Sequence, residues 1–468
     1  MLTAVLMWSC VGSGATPSTS SPPPDCPPPG DSPGGSGVGD PVLPFLGNGG
    51  YEVSHYDLEL FIDPSRDHLE AVVSIEASAT QALTSFNLDY AGPPISDLTT
   101  DQQRARYCRI EGELIIAPES TIQAGQSFVV TVVYGGTPGG VMRQGAPAEG
   151  WLRLSEEHVT AGGLWGAEAA YMPVNATNLD KATFHMEITV PEGLAAAGVG
   201  KLVDVTEGDK GTTFVWVSDV PTPPSRVFIG TGRFQPERFE GPEGVVYENL
   251  MPPDTPAELQ ENLEKATPVL TTLSELFGPF PFDRLGFTFI PDHPALNAIS
   301  AQTRIVVLGR TNIGDAFLAH EIAHQWFGNS VTPATTQDDW LSEGFATYAE
   351  ALWAEASVGR EASDTFADLW WQRMGERTRR LAVVDAPEQV GDYVAYFRGA
   401  ATLHALRAEV GDEALFRVLR RFASDFRHSA ATTEDFISVA EAESDADLSD
   451  FFDIWLYSEA VPPVPVHE

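Results

Sequence analysis

DAFLAHEIAHQWFGN (315–329) is the stretch from which the rest of the chain is read. It contains His320-Glu321-Ile322-Ala323-His324, two histidines four apart around a glutamate. On a helix, residues four apart lie one turn apart on the same face, so both imidazoles can reach one cation. Glu321 then projects about 100° around the helix, toward a water in the open position rather than toward the metal itself. The segment favours helix as far as Gly328, which suits a C-terminal stop. Hydrolytic zinc sites keep three protein ligands and one open position. The third ligand should be a nearby acidic residue or histidine, and Glu343 in WLSEGFATYAE (340–350) follows His324 with eighteen residues between. That segment is also helix-compatible, and two antiparallel helices would bring Glu343 opposite the histidines. A bare HExxH arises by chance in many chains. Here the third carboxylate, the helical context and the apolar flanks Phe317, Leu318, Trp326 and Phe327 argue for a buried metal site over two solvated histidines.

The rest of the chain frames that motif. Its 468 residues suggest two or three domains, and 43% hydrophobic content excludes wholesale disorder. The 66 acidic and 27 basic residues leave a net charge of −39, which repels nucleic-acid phosphates and anionic lipid headgroups and sets both aside as partners. No apolar run reaches the ~18–20 residues of a spanning helix. Residues 51–235 read as β-rich: Phe128, Val130, Val132 and Tyr134 alternate with Val129, Thr131 and Val133, and Phe184, Met186, Ile188 and Val190 alternate with His185, Glu187 and Thr189. Near Asp254 the period changes. Leu259, Leu263, Ala266, Leu270, Leu273 and Phe277 recur at helical spacing until Gly278-Pro279, and the text stays mainly helical to residue 460, apart from strand-like 287–290 and 305–308. The expected segments are 1–10, a signal-like stretch; 11–45, a tether; 46–238, a β-domain; and 239–468, a mainly helical domain.

MLTAVLMWS (1–9) running into Cys10 resembles the tail of a bacterial lipoprotein signal, although no Lys or Arg precedes it and Trp8 is bulky for its place. The expectation is an exported protein of the cell envelope or extracellular space, tethered to a membrane through a lipidated Cys10. In residues 11–40, 23 of 30 are Gly, Pro, Ser or Thr, too little apolar surface to offset ordering entropy, so a flexible linker is expected. Cys26 and Cys108 could pair in an oxidising compartment, but a cysteine inside a Pro-rich linker is a poor staple, and the sequence leaves their pairing open.

HEIAHQWFGN followed by Glu343 in WLSEGFATY closely resembles the aminopeptidase N and leukotriene-hydrolase family of gluzincin zinc metallopeptidases. YMPVNATNLDKATFHMEITVP (171–191), FGPFPF (277–282) and DLSDFFDIWLYSEAVPPVPV (447–466) resemble further segments of that family. The resemblance implies a multi-domain α+β fold over roughly 50–466. An N-terminal antiparallel β-sandwich-like, saddle-shaped domain would pack on a thermolysin-like, mainly α-helical catalytic domain. It also implies one Zn²⁺ per chain on His320, His324 and Glu343, with Glu321 as general base. The family's oxyanion donor is a tyrosine in a Y-x-K-G-like context. Tyr396 in Tyr396-Phe397-Arg398-Gly399 matches it with Arg for Lys, and Tyr393 is the second choice.

The family's aminopeptidases hold the substrate α-amine with carboxylates, notably the glutamate of a G-x-M-E-N segment. In PDHPALNAISAQTRIVV (291–307) that position falls at Ser300, and no acidic residue occurs between Asp292 and Asp315. For a second amine-binding glutamate the candidate is Glu168 in LWGAEAAYMP, at a spacing to Tyr171 short for the role; Asp292 is a further substitute. The expected function is a zinc metallopeptidase acting on peptides or proteins, aminopeptidase-like by family, with its exopeptidase specificity altered, relaxed or lost. The alternatives are an endopeptidase-type activity or an inert peptide-binding relative; nothing positively supports an epoxide-opening one. Glu350, two helical turns after Glu343, reads equally as support for the metal site or as a surface charge. Oligomeric state is not legible.

Overall fold

A computed structural model describes residues 26–27, 30–139, 142–143, 146–147, 150–291, 298–308, 313–378, 383–384, 394–460 and 463–465. Alternation decides its first half. Phe128, Val130, Val132 and Tyr134 are buried while Val129 faces out, and Phe184, Met186, Ile188 and Val190 are likewise buried. These strands, Ser127–Gly136 and Ala182–Val190, belong to an eight-stranded sheet that also contains Tyr51–Asp63, His68–Ala79 and Gly211–Thr222. The pairings are antiparallel except one at the centre: Tyr51–Asp63 runs parallel to Ala182–Val190, with Tyr56 opposite Phe184. A four-stranded and a three-stranded sheet cover this layer, and one core of side chains fills the space between them.

The change of period marks a second sheet of five strands. It opens on the hairpin Gln235–Glu240 and Val246–Met251, continues through Arg284–Ile290 and Arg304–Leu308, and ends on the short edge strand Ile299–Ala301. Helices pack against it around an aromatic core that includes Phe277, Phe327, Trp340, Phe345, Phe422 and Phe436. They are α1 (Ala257–Leu263), α2 (Ala266–Phe277), α3 (Asp315–Ala323), α4 (Trp340–Val358), α5 (Glu361–Thr378), α6 (Gly399–Val410), α7 (Asp412–Asp425), α8 (Thr433–Ser444) and the single turn α9 (Ser449–Phe452). The helical run predicted over 259–277 is two helices. Glu264 and Lys265 bond three residues back, tightening the chain into a turn between α1 and α2. Among the described residues no helix is long and apolar enough to cross a membrane.

The expectation of a free linker over 11–45 is corrected where the structure describes it. From residue 30 the segment lies on the protein: Gly34 N–H donates to Ser85 O, and Asp40 accepts the backbone N–H of Thr336 at 2.8 Å and its hydroxyl at 2.7 Å. Cys26 and Cys108 are joined in a disulfide. Gly/Pro/Ser composition excludes apolar burial but not ordering by backbone hydrogen bonds, one carboxylate and a cross-link. The two halves meet through polar contacts as well. Half-buried Lys181 donates to Ser330 O and Ser429 O, and the Arg304 guanidinium bonds Gly198 O while lying 4.8 Å over the Trp216 ring.

An acidic pair, buried Asp89 and half-buried Glu113, gives the β-domain a pH-dependent stability. Burial, with the neighbouring Asp89, raises the Glu113 carboxyl from 4.5 to about 8, and burial raises Asp89 from 3.8 to about 6. The folded chain therefore binds more protons than the unfolded one between the two sets of values. The stabilising contribution is complete below about 4 and is lost as pH rises through about 6 and then about 8. In urea unfolding of the β-domain, Glu113→Gln should flatten the decline between pH 5 and pH 8. An unchanged slope would remove Glu113 from this account.

Candidate metal centre

Local sequence sets the first part of the site. Helix α3 carries His320 and Glu321 and ends at Ala323, with His324 as its cap; a turn then runs to Gly328. The stop therefore comes four residues before the glycine expected to make it. Gly328 has φ 129°, and a Cβ there would stand 2.7 Å from Ser342 Oγ and 3.3 Å from His324 Nδ1. Its missing side chain lets the start of α4 close on the histidine.

Tertiary packing brings the three expected ligands together. Glu343 Oε2 is 3.5 Å from His320 Nε2 and 3.5 Å from His324 Nε2, and the ligand atoms all lie within 4.8 Å of one another. Two imidazole nitrogens and one carboxylate oxygen, converging without an intervening side chain, form the donor set that zinc takes in catalytic sites. The remaining ring nitrogens are held. His320 Nδ1 lies 2.9 Å from Glu350 Oε1; His324 Nδ1 lies 3.1 Å from Ser342 Oγ and 3.2 Å from Phe327 O. With each Nδ1 donating its proton to these acceptors, each Nε2 lone pair points at the metal position. Of the two readings of Glu350, support for the site is the one seen.

Glu321 borders a cavity of about 120 Å³ shared with His320, His324, Glu343, Ser300 and Tyr396. Burial raises its carboxyl above 4.5, against the two histidines that pull it down. Tyr396 sits on a π-helical turn, Val394–Arg398, before α6. Its ring is stacked 6.1 Å from the His320 imidazole with 7° between planes. The Glu343 charge, then burial, holds its hydroxyl protonated well above the ordinary phenol range. Two features place this turn. Gly344 of α4 meets Gly399 of α6 so closely that a Cβ on Gly344 would lie 2.8 Å from Gly399 Cα. Arg398, the departure from the family's lysine, is fully buried; it donates to Trp455 O at 2.8 Å, Ser458 O at 2.6 Å and Ile454 O at 3.2 Å. A forked guanidinium serves three carbonyls that a lysine ammonium would reach less well.

Residues 262–455 match the peptidase family M1 domain. Human aminopeptidase O is 26% identical over 273 residues, 49% of this chain and 33% of that protein. Aminopeptidase N of Streptomyces lividans is 29% identical over 206 residues, 39% of this chain and 24% of its own length. The chain thus spans a quarter to a third of these curated relatives. Among solved structures, the M1 zinc metallopeptidase of Deinococcus radiodurans superposes with a TM-score of 0.84 at 28% identity, covering 92% of this chain and 99% of that one. A mutant of that protein bound to a Tyr-Ser-Ala substrate gives 0.85 over the same shares. Residues 262–455 thus carry a peptidase M1 domain, and the fold over 92% of the chain is that of aminopeptidase N-like M1 zinc metallopeptidases.

Zinc is accordingly the cofactor, and the donor set of His320, His324 and Glu343 fits it. Within this M1 site the substrate-binding candidates part company. Ser300 lies on the edge strand beside the metal position, and its hydroxyl donates to Glu321 O at 3.1 Å while accepting from Gln325 Nε2 at 3.0 Å. Glu168 is not brought there: it is buried in the turn Ala167–Ala170 and borders a separate hollow with Asp40, Asn178 and Thr335. Tyr393, Asp292 and Cys10 lie outside the described residues. Sequence reasoning missed Ser342, the Phe327 carbonyl and Arg226, whose buried guanidinium enters the cavity wall from the turn Pro224–Arg226. Ser342 is adjacent to a ligand and could have been suspected. Arg226 belongs to no motif, and nothing in the sequence ties it to the triad.

Proposed function

We propose that this M1 chain hydrolyses peptide bonds and has relaxed the family's demand for a free N-terminal amine. The observation that carries hydrolysis is the convergence of His320, His324 and Glu343 with Glu321 and Tyr396 on one cavity. Zn²⁺ bound there would polarise the scissile carbonyl and lower the pKa of a water to about 7. Glu321 takes a proton from the attacking water as its oxygen bonds to the carbonyl carbon, and returns that proton to the leaving nitrogen as the C–N bond breaks. Tyr396 donates its hydroxyl hydrogen bond where negative charge grows on the carbonyl oxygen. Glu350, Ser342 and the Phe327 carbonyl fix both histidine rings.

The relaxed amine requirement is supported by the cavity wall. A bound ammonium requires anionic acceptors, yet among the described residues the wall beyond the metal ligands and Glu321 is Leu164, Ala298, Ile299, Ser300, Tyr396 and a cation, Arg226. Matched free-amine and N-acetylated peptides, digested and read by mass spectrometry, should be cleaved with kcat/KM values of the same order. Cleavage confined to the free-amine series would return the chain to strict aminopeptidase chemistry. Export and a lipidated Cys10 are part of the same proposal; the Cys26–Cys108 disulfide supports an oxidising compartment.

A further inference from the structure

Beyond His320, His324, Glu343 and Glu321, the described wall of the pocket beside the metal position is neutral apart from one buried cation. Arg226 is 4% exposed. Its side chain makes a single hydrogen bond among the described residues, from one terminal nitrogen to Ser342 Oγ at 3.3 Å, and its Nε has no partner. No described carboxylate lies within ion-pairing distance of it, although Glu343, Asp339 and Glu321 act on it from farther away. A guanidinium buried without a direct anionic partner is costly. Its planar fork fits a carboxylate in two parallel hydrogen bonds better than any neutral group. The backbone places it against the edge strand, where Arg226 O accepts from Gln302 N, two residues from Ser300.

We infer that Arg226 is a specificity-determining residue: it takes a carboxylate presented by the substrate on the N-terminal side of the scissile bond. The proposal rests on the peptidase reading above and deepens it by naming the substrate class, peptides with an anionic rather than an ammonium group at that position. The anion is recognised at short range, because the net charge of −39 repels it at long range. The bond to Ser342 gives Arg226 a positioning role as well, but that role alone does not rank substrates by charge.

The test compares one peptide carrying a free amine, an N-acetyl or an N-succinyl group. The zinc-loaded wild-type protein should prefer the succinyl over the acetyl form by about 10–100-fold in kcat/KM, the range of a charge-assisted pair. Arg226→Leu should erase that ranking and Arg226→Lys should keep part of it. Calorimetry on zinc-loaded Glu321→Gln protein, with and without Arg226→Leu, reads the same preference as binding. Equal use of both blocked peptides by the wild type, or a ranking unchanged in Arg226→Leu, overturns the proposal. If Arg226→Leu does not fold, the wild-type ranking and Arg226→Lys decide. If wild type cleaves none of the peptides, the hydrolytic reading fails, and the calorimetric preference still decides the carboxylate site.

Discussion

Glu321→Gln is expected to retain one zinc per chain and to lower kcat by about 10²–10⁴, the range for removing a positioned general base. The substitution preserves size and leaves the three ligand side chains untouched. Glu321 lies one position along α3 from His320, and its carboxyl enters the cavity shared with the metal triad. What glutamine lacks is the capacity to accept the water proton and return it to the leaving amine. Metal analysis and peptide turnover on the same preparation separate the two properties. Zinc retained with turnover within tenfold of wild type would falsify the assignment; zinc lost would make Glu321 part of the metal's support.

The second large effect is expected from Tyr396→Phe, a fall in kcat on the order of 10²–10³ with little change in KM, as for one lost oxyanion donor. Phenylalanine keeps the ring that stacks on His320 and the contacts of the π-helical turn, so only the hydroxyl is removed. Near-wild-type kcat would take the role from Tyr396 and pass the question to Tyr393. Far-UV spectra and zinc content should be unchanged, because the turn is held by Arg398 and by the Gly344–Gly399 approach rather than by the hydroxyl.

How much of this was legible follows from the range of the interactions. His320 and His324 could be paired from sequence because one helical turn is a local property. Glu343 was reachable through its helical context and family spacing. Glu350 was visible but undecided, since two helical turns fix the face it shares with Glu343 and not what faces it; its 2.9 Å contact with His320 Nδ1 is set by helix packing. Glu168 shows the converse, a carboxylate at a plausible place in the text that the fold buries in another hollow. The stretch after residue 30 was misread because composition reports missing apolar burial, and the ordering there comes from Asp40, backbone pairing and the disulfide.

Periodicity and motif spacing by themselves determined a β-rich half, a helical half, two histidines on one face and a carboxylate to meet them. These depend on backbone geometry within a few turns and on the burial of alternating side chains. The tertiary structure alone decided that the histidines are oriented by Glu350, Ser342 and the Phe327 carbonyl, that two glycines let α4 and α6 touch, and that Arg226 enters the wall opposite Ser342. Those contacts join residues far apart in the chain. Their free energy comes from desolvation and close packing in the folded protein, and no local pattern in the sequence records it.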